Sequence, residues 1–205
     1  MTHPADFWNP KFETEEYIFG TEANSFIKAA VPPARDGQTA YAPADGEGRN
    51  GVYLAEIGYQ VTSTDIADKA VEKAKKLAQS RGVSINAMVG DIMGDPTGQF
   101  DVVIVSFMHF YRDDHLRFVD HIHKALAPGG LLALEGYSLD QIPLASGGPK
   151  SPDMLYTREQ LKKDFAALDI LLIQDAKRCL NEGPRHQGEA ATIQLIARKG
   201  INNEQ

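Results

Sequence analysis

From residue 60 to residue 137 the chain alternates short strand-like runs with stretches of helical period. That alternation limits the fold more than any other feature, because helix-length crossovers between short strands build a parallel sheet. Residues 100–107, FDVVIVSF, form a continuous apolar run, the pattern of a strand buried on both faces. In residues 67–81, Ala67, Ala70, Val71, Ala74, Leu77 and Ala78 share one face of a helix, with lysines and acids opposite. Further strands are expected at 39–42, 60–64 and 85–90, and in LLALEGY after Pro128-Gly129-Gly130. A short helix within 21–30 has Asn24 as its N-cap and is stopped by Val31-Pro32-Pro33. Other helices are expected from Arg49 to Gly58 and over 113–126, the latter with Leu116, Val119, Ile122 and Leu126 inward. A last one follows Thr157, where TREQ matches a capping box. Strands near 170–176 and 192–198 are joined by NEGPRHQGE and read as a hairpin. The expected architecture is α/β, with about seven strands that are parallel until an antiparallel pair at the end.

Composition narrows the function. The 205 residues suit one domain with a full core. With 28 acidic and 21 basic residues the net charge is −7, and no basic block offers release of phosphate counterions. Nucleic acid is therefore not an expected partner. No apolar run approaches the ~20 residues that span a bilayer, so no membrane partner is expected either. The N-terminal residues show neither a basic nor an apolar secretory region. Cys179 is the single cysteine, which fits a reducing cytoplasm and excludes a disulfide framework or a multi-cysteine zinc site.

A glycine turn, Asp45-Gly46-Glu47-Gly48, lies between the first strand and its helix. Its backbone can approach a ligand closely, and the helix start offers free N–H groups. Asp65 ends the second strand, where a carboxylate can accept from ribose hydroxyls. Asp91 ends the third and can accept from an adenine amino group, with Ile92 beside the ring. Three successive strand ends thus carry a glycine turn, an acid and an acid. Gly46 to Gly51 also spells G-x-G-x-x-G, which keeps an NAD(P)-dependent oxidoreductase as an alternative. Against it, Asp45 and Glu47 would face a pyrophosphate with like charge, and the terminal hairpin leaves no second mononucleotide-binding half.

The run APADGEGRNGVYLAEIGYQVTSTDIADKAVEKAKKLAQSRGV, the GDI after it, FDVVIVSFMHF, LAPGGLLALEGY and EGPRHQGEAATIQLIARK together resemble a class I S-adenosylmethionine (SAM)-dependent methyltransferase. Within that class the chain is similar to the tellurite-resistance-type or thiopurine-methyltransferase-like group. The upstream WNPKFETEEYIFGTEANSF resembles that group's N-terminal cover. The resemblance implies a Rossmann-like sheet of order 3-2-1-4-5-7-6 with helices on both faces, strand 7 antiparallel, and one SAM-binding domain over 1–205 with a cover over 1–37. It implies SAM as cofactor. Ala44, Asp45, Gly46, Glu47 and Gly48 would wrap its methionine part, and Arg49 and Asn50 would open the helix beneath. Asp65 and Ile66 would hold ribose and adenine edge, Asp91 and Ile92 the base, and Ser106 would lie near the sulfonium. The group's usual acid and glycine are replaced by Ala42 and Ala44. A SAM- or nucleoside-binding module without catalysis is therefore also weighed.

The expected reaction is methyl transfer to a small acceptor, of which thiols and selenium or tellurium species need no strong base, whereas harder acceptors do. His109, Arg185 and His186 are the catalytic candidates, the last two as a basic pair near the acceptor. Tyr17 and Phe19 either line a lid or pack. The glycines of 147–150, GGPK, read as a mobile loop at the acceptor mouth, and Cys179 as packing. His121 and His123 lie two apart on a helix and do not share a face, so no metal is expected.

Overall fold

The computed structural model describes residues 3–201. Seven strands form one sheet in the order β3-β2-β1-β4-β5-β7-β6, as expected. They are β1 (Thr39–Pro43), β2 (Gln60–Asp65), β3 (Asn86–Val89), β4 (Phe100–Ser106), β5 (Leu126–Tyr137), β6 (Asp169–Asn181) and β7 (Gln187–Arg198). Strands β1 to β5 pair in parallel, and β7 runs antiparallel to both β5 and β6. The helices are α1 (Pro4–Phe12), α2 (Ser25–Ala30), α3 (Arg49–Glu56), α4 (Asp68–Ser80), α5 (Arg112–Ala125) and α6 (Arg158–Asp164).

The period-two alternation of the central strands assigns the two faces. Ala40, Ala42, Val102, Ile104, Leu131 and Ala133 pack with Phe26, Ile27 and Leu54 of α2 and α3. Tyr41, Val103, Val105, Leu132 and Leu134 pack with Phe118, Ile122, Leu161 and Phe165 on the α5 and α6 side. Local chemistry fixes the ends of several helices. Asn24 Oδ1 accepts from the N–H groups of Phe26 and Ile27, and Thr157 Oγ1 accepts from Gln160 N.

Three expectations need correction. Leu116 is 47% exposed, and the inward stripe of α5 is His115, Phe118, Val119, Ile122 and Ala125. A histidine can take that place because Asp164 lies 2.8 Å from its Nε2. His121 is buried as well, with Nδ1 2.8 Å from Gly94 O and Nε2 3.1 Å from the Tyr41 hydroxyl. Cys179 is exposed and does not pack. The terminal hairpin is also longer than its apolar pattern suggests. Pairing continues through Asn181 and Gln187, whereas β5 leaves β7 at Thr192. Residues 177–191 therefore stand as an arm beyond the carboxyl end of the sheet.

The segment before β1 divides in two. Residues 25–31 join the core, whereas residues 4–24 run over the carboxyl side of β1 and β2. Trp8, Phe12 and Phe19 cluster there on Ala67 and Ala70 of α4. Lys73, expected among the solvated lysines of α4, is buried instead. Its Nζ donates to the carbonyls of Thr14 (2.8 Å) and Glu16 (2.7 Å) and pairs with the buried carboxylate of Glu47. Removing one partner of a buried pair strands the other. Lys73→Met is expected to cost about 3–5 kcal/mol in chemical denaturation. It should also speed proteolytic cleavage within 4–24; unchanged stability and cleavage would show that this clamp holds nothing.

Candidate cofactor and acceptor site

In an open parallel sheet, ligands sit beyond the carboxyl ends of the strands, where the strand order reverses. Here the reversal falls between β1 and β4, and the chain leaves both strands in an unusual conformation. Ala44 (φ 45°) and Phe107 (φ 55°) are the non-glycine residues with positive φ among those described. Such strain gathers at functional sites, where the surroundings must hold it. Ala42 is fully buried on the α3 side of the sheet.

The glycine turn is held from below. Gly48 is the N-cap of α3 at φ 87°, and a Cβ there would lie 2.6 Å from Ala74 Cβ. A Cβ on Gly51 would lie 2.6 Å from Asp45 Oδ2. Asp45 points that way: its Oδ2 accepts from Gly51 N (2.9 Å) and Ser63 Oγ (3.1 Å). Its carboxylate thus caps α3, a task the glycine N-cap has no side chain to do. Of the residues expected to wrap the methionine part, Glu47 turns its side chain to Lys73 and Phe19 N. The backbone of Asp45 and Glu47 stays in the turn.

Asp65 is oriented by the same turn. Its Oδ2 accepts from Gly46 N (2.8 Å) and its Oδ1 from Ala67 N (2.9 Å). Each oxygen keeps a second acceptor direction. Ile66 beside it is half-buried. Asp91 is exposed, with Oδ1 taking Met93 N. Ile92 turns its side chain into the core with Phe100 and Val103. Ser106 Oγ is enclosed and has no hydrogen-bond partner among the described residues. Asn50 Oδ1 accepts from Asn24 N (2.9 Å), which ties α3 to the start of α2.

On the acceptor side the structure brings Phe19, Phe107, Tyr137 and His186 together. The His186 ring centroid lies 4.7 Å from that of Phe19 and 4.6 Å from that of Phe107, with Tyr137 at 5.8 Å. His186 Nδ1 is enclosed without a hydrogen bond to any of the described residues. Arg185 is exposed, and its N–H donates to Ile18 O (3.1 Å). Gly147 and Gly148 pack on Tyr137, where a Cβ on either would lie 2.8 Å or less from the ring or its hydroxyl. That contact holds the loop expected to be mobile. Tyr17 donates its hydroxyl to Lys73 O (3.1 Å) and belongs to the clamp.

His109 stands apart from the other catalytic candidates. Its Nδ1 lies 2.9 Å from Met154 O, and its Nε2 accepts from Tyr137 N (3.1 Å). A carbonyl can only accept and an N–H can only donate, so the ring is neutral with its proton on Nδ1. Burial pushes it down to about 4. Both nitrogens are thus occupied, one by the turn at 152–154 and the other by the end of β5, which leaves no free base at this ring.

Sequence reasoning missed a buried charge network. Glu135 of β5 is fully buried. It accepts from Asn24 Nδ2 (2.6 Å), Thr192 Oγ1 (3.0 Å), Gln194 Nε2 (2.9 Å) and Arg178 (2.6 and 3.1 Å). Arg178 also donates to Glu182 (2.8 Å), and Arg49 meets the other Glu182 oxygen at 2.8 Å. Arg49 thus reaches from the glycine turn to the hairpin tip. An acid in the apolar run LLALEGY was the available signal.

Burial raises the Asp45 carboxyl to about 7, against the bonds from Gly51 and Ser63. The folded chain therefore binds a proton between pH ~4 and ~7 that the unfolded chain has released, so stability falls as pH rises through that window. Asp45→Asn removes the buried charge. Its stability relative to the unsubstituted chain should grow from pH 4 to pH 8, by up to about 4 kcal/mol. Parallel pH–stability curves for the two would refute the shift.

With this geometry in place, known proteins can be compared. Among solved structures, one described as conversion of a disulfide bond into a thioacetal group during echinomycin biosynthesis superposes with a TM-score of 0.77. It is 20% identical and covers 98% of this chain and 95% of that one. TehB from Haemophilus influenzae gives 0.67 at 18% identity over 95% and 66%. Magnesium protoporphyrin IX methyltransferase from Synechocystis PCC 6803 with bound SAH gives 0.69 at 17% over 96% and 98%. These likenesses establish the fold. In sequence, a tRNA 5-carboxymethoxyuridine methyltransferase of Escherichia coli (strain K12) is 26% identical over 45% of this chain and 38% of its own length. A ubiquinone biosynthesis O-methyltransferase of Caulobacter sp. (strain K31) is 29% identical over 62% and 56%. The chain thus spans between about two fifths and three fifths of the length of these relatives. One of them is named for a tRNA, so likeness gives no ground for excluding RNA. Residues 44–130, which carry the glycine turn, Asp65, Asp91 and Ser106, match the family model described as a methyltransferase domain.

Proposed function

We propose that this chain is a SAM-dependent methyltransferase whose acceptor is a small molecule, bound between the glycine turn, the arm of β6 and β7, and residues 4–24. The observation that carries the reading is a pair of enclosed polar atoms without partners among the described residues, Ser106 Oγ and Asp45 Oδ1, on the carboxyl side of a sheet with a methyltransferase-domain match. Buried polar groups without partners call for a ligand or water to satisfy them.

The residues fit the cofactor. The Gly46–Gly48 backbone offers close approach and the N-terminus of α3. Asp65, fixed by Gly46 and Ala67, has lone pairs left for ribose hydroxyls, with Ile66 and Asp91 beside the base and Ser106 toward the methionine end. Bound there, SAM supplies an electrophilic methyl group on a positively charged sulfur. The chain aligns the acceptor and excludes water around it. Phe19, Phe107 and Tyr137 form an apolar wall suited to a compact acceptor, a thiol or a selenium or tellurium species included. His186 and Arg185 are the polar groups at that wall. The net charge of −7 favours a small molecule over RNA, and one cysteine fits a reducing cytoplasm.

Calorimetry with S-adenosylhomocysteine tests the cofactor assignment. Asp65→Ala should weaken binding by about 1–3 kcal/mol, roughly 5- to 150-fold. Unchanged affinity, or tight binding of NAD in its place, would refute it. Transfer of labelled methyl to tRNA but not to small thiols would refute the acceptor class.

A further inference from the structure

We propose that Glu182 is the positioning residue of a Glu182–His186 pair, holding His186 as a neutral ring with its proton on Nδ1 so that Nε2 can take the acceptor's proton. This rests on the methyltransferase reading above and assigns a role to Glu182, which lies outside the family match over residues 44–130.

Three observations converge on the pair. First, Glu182 and His186 sit four residues apart across the tip of the β6–β7 arm. Glu182 N donates to His186 O (2.9 Å) and His186 N to Gly183 O (3.1 Å), so the tip is a closed turn. Second, His186 Nδ1 is 3.8 Å from Glu182 Oε2 and has no other partner. That separation is one small side-chain movement from a hydrogen bond, and an acid behind a histidine is the usual way to fix its tautomer. Third, the ring is held laterally by Phe19, Phe107 and Tyr137, which leaves rotation toward Glu182 as the way to satisfy Nδ1.

The charges around the pair keep it in the required state. Burial alone would raise the Glu182 carboxyl. The nearby His186 ring and the charges of Arg49 and Arg178 win, and hold it at about 2. Burial lowers His186, Glu182 raises it, and Arg49 and Arg178 lower it again. The remaining titratable neighbours are Tyr137, which burial raises, and His109, which burial lowers. Both are neutral near pH 7. His186 is therefore an unprotonated base beside an ionised acid at neutral pH.

The acceptor's X–H bond breaks and its electron pair forms the X–CH3 bond. The proton goes to Nε2, and the C–S pair returns to sulfur. One positive charge leaves the sulfur and one appears on the imidazole ring, where Glu182 stabilises it.

The test reads the ring itself. In the 15N-labelled full chain saturated with S-adenosylhomocysteine, the His186 nitrogen shifts, assigned with His186→Gln, should report the Nδ1–H tautomer above its pKa. An Nε2–H tautomer overturns the proposal without any substitution at Glu182. In Glu182→Gln the ring should titrate at least about one pH unit lower than in the unsubstituted chain. Glu182→Asp, which keeps the charge beside Arg49 and Arg178, should fall between the two. Equal titration in all three overturns it. The affinity for S-adenosylhomocysteine, measured on the same samples, reports separately on the cofactor reading.

Discussion

A buried and a partly buried arginine and two buried glutamates tie the molecule together at its carboxyl end. Arg178 bridges Glu135 and Glu182, and Arg49 carries the chain of charge on to the first turn of α3. Each carboxylate is enclosed, so each needs its partners in place before the surrounding surfaces can close. Glu135 alone gathers donors from the start of α2, from β6 and from β7. Four parts of the chain that are far apart in sequence thereby meet at one acid on β5.

That network also explains how the site is divided. The glycine turn and Asp65 belong to the parallel half of the sheet and are braced by α4 through Gly48 and Ala74. His186 belongs to the antiparallel arm. Arg49 spans the two, since it belongs to α3 yet ends on Glu182. Residues 4–24 then close over both halves, clamped to α4 by Lys73. The strained Ala44 and Phe107 stand at the two strand ends between them. They are held by the dense packing below and not by local preference.

The strands, most of the helices and the hairpin were legible because their signals are periodic and local: FDVVIVSF, the alanine stripe of α4, the Asn24 and Thr157 caps; the sheet order was implied only by the family resemblance. The glycine turn and Asp65 were legible because close backbone approach and strand-end acids leave a mark in residue type. What the sequence hid are partnerships across the fold. Lys73 reads as one lysine among several until residues 14–16 are laid on it. His109 reads as a base until Met154 and Tyr137 occupy both its nitrogens. Leu116 fits the helical stripe by period as well as His115 does, and Asp164, 49 residues away from His115, decides between them. The full length of β6 was invisible because its outer half is polar and carries no alternation.

One contact has a consequence for how such a chain can diverge. Gly20 and Gly183 meet backbone to backbone, where the covering segment crosses the tip of the arm; a methyl on Gly183 would strike the main chain of Gly20, and one on Gly20 would crowd Gly183 N at 3.1 Å. Gly183 cannot acquire a side chain while its counterpart stays put, and Gly20, also at positive φ, can do so only with strain and a shift of its neighbour. Drift in the leading segment and drift in the last hairpin are therefore bound to one another, and a graft of either from a distant homologue must bring the other with it.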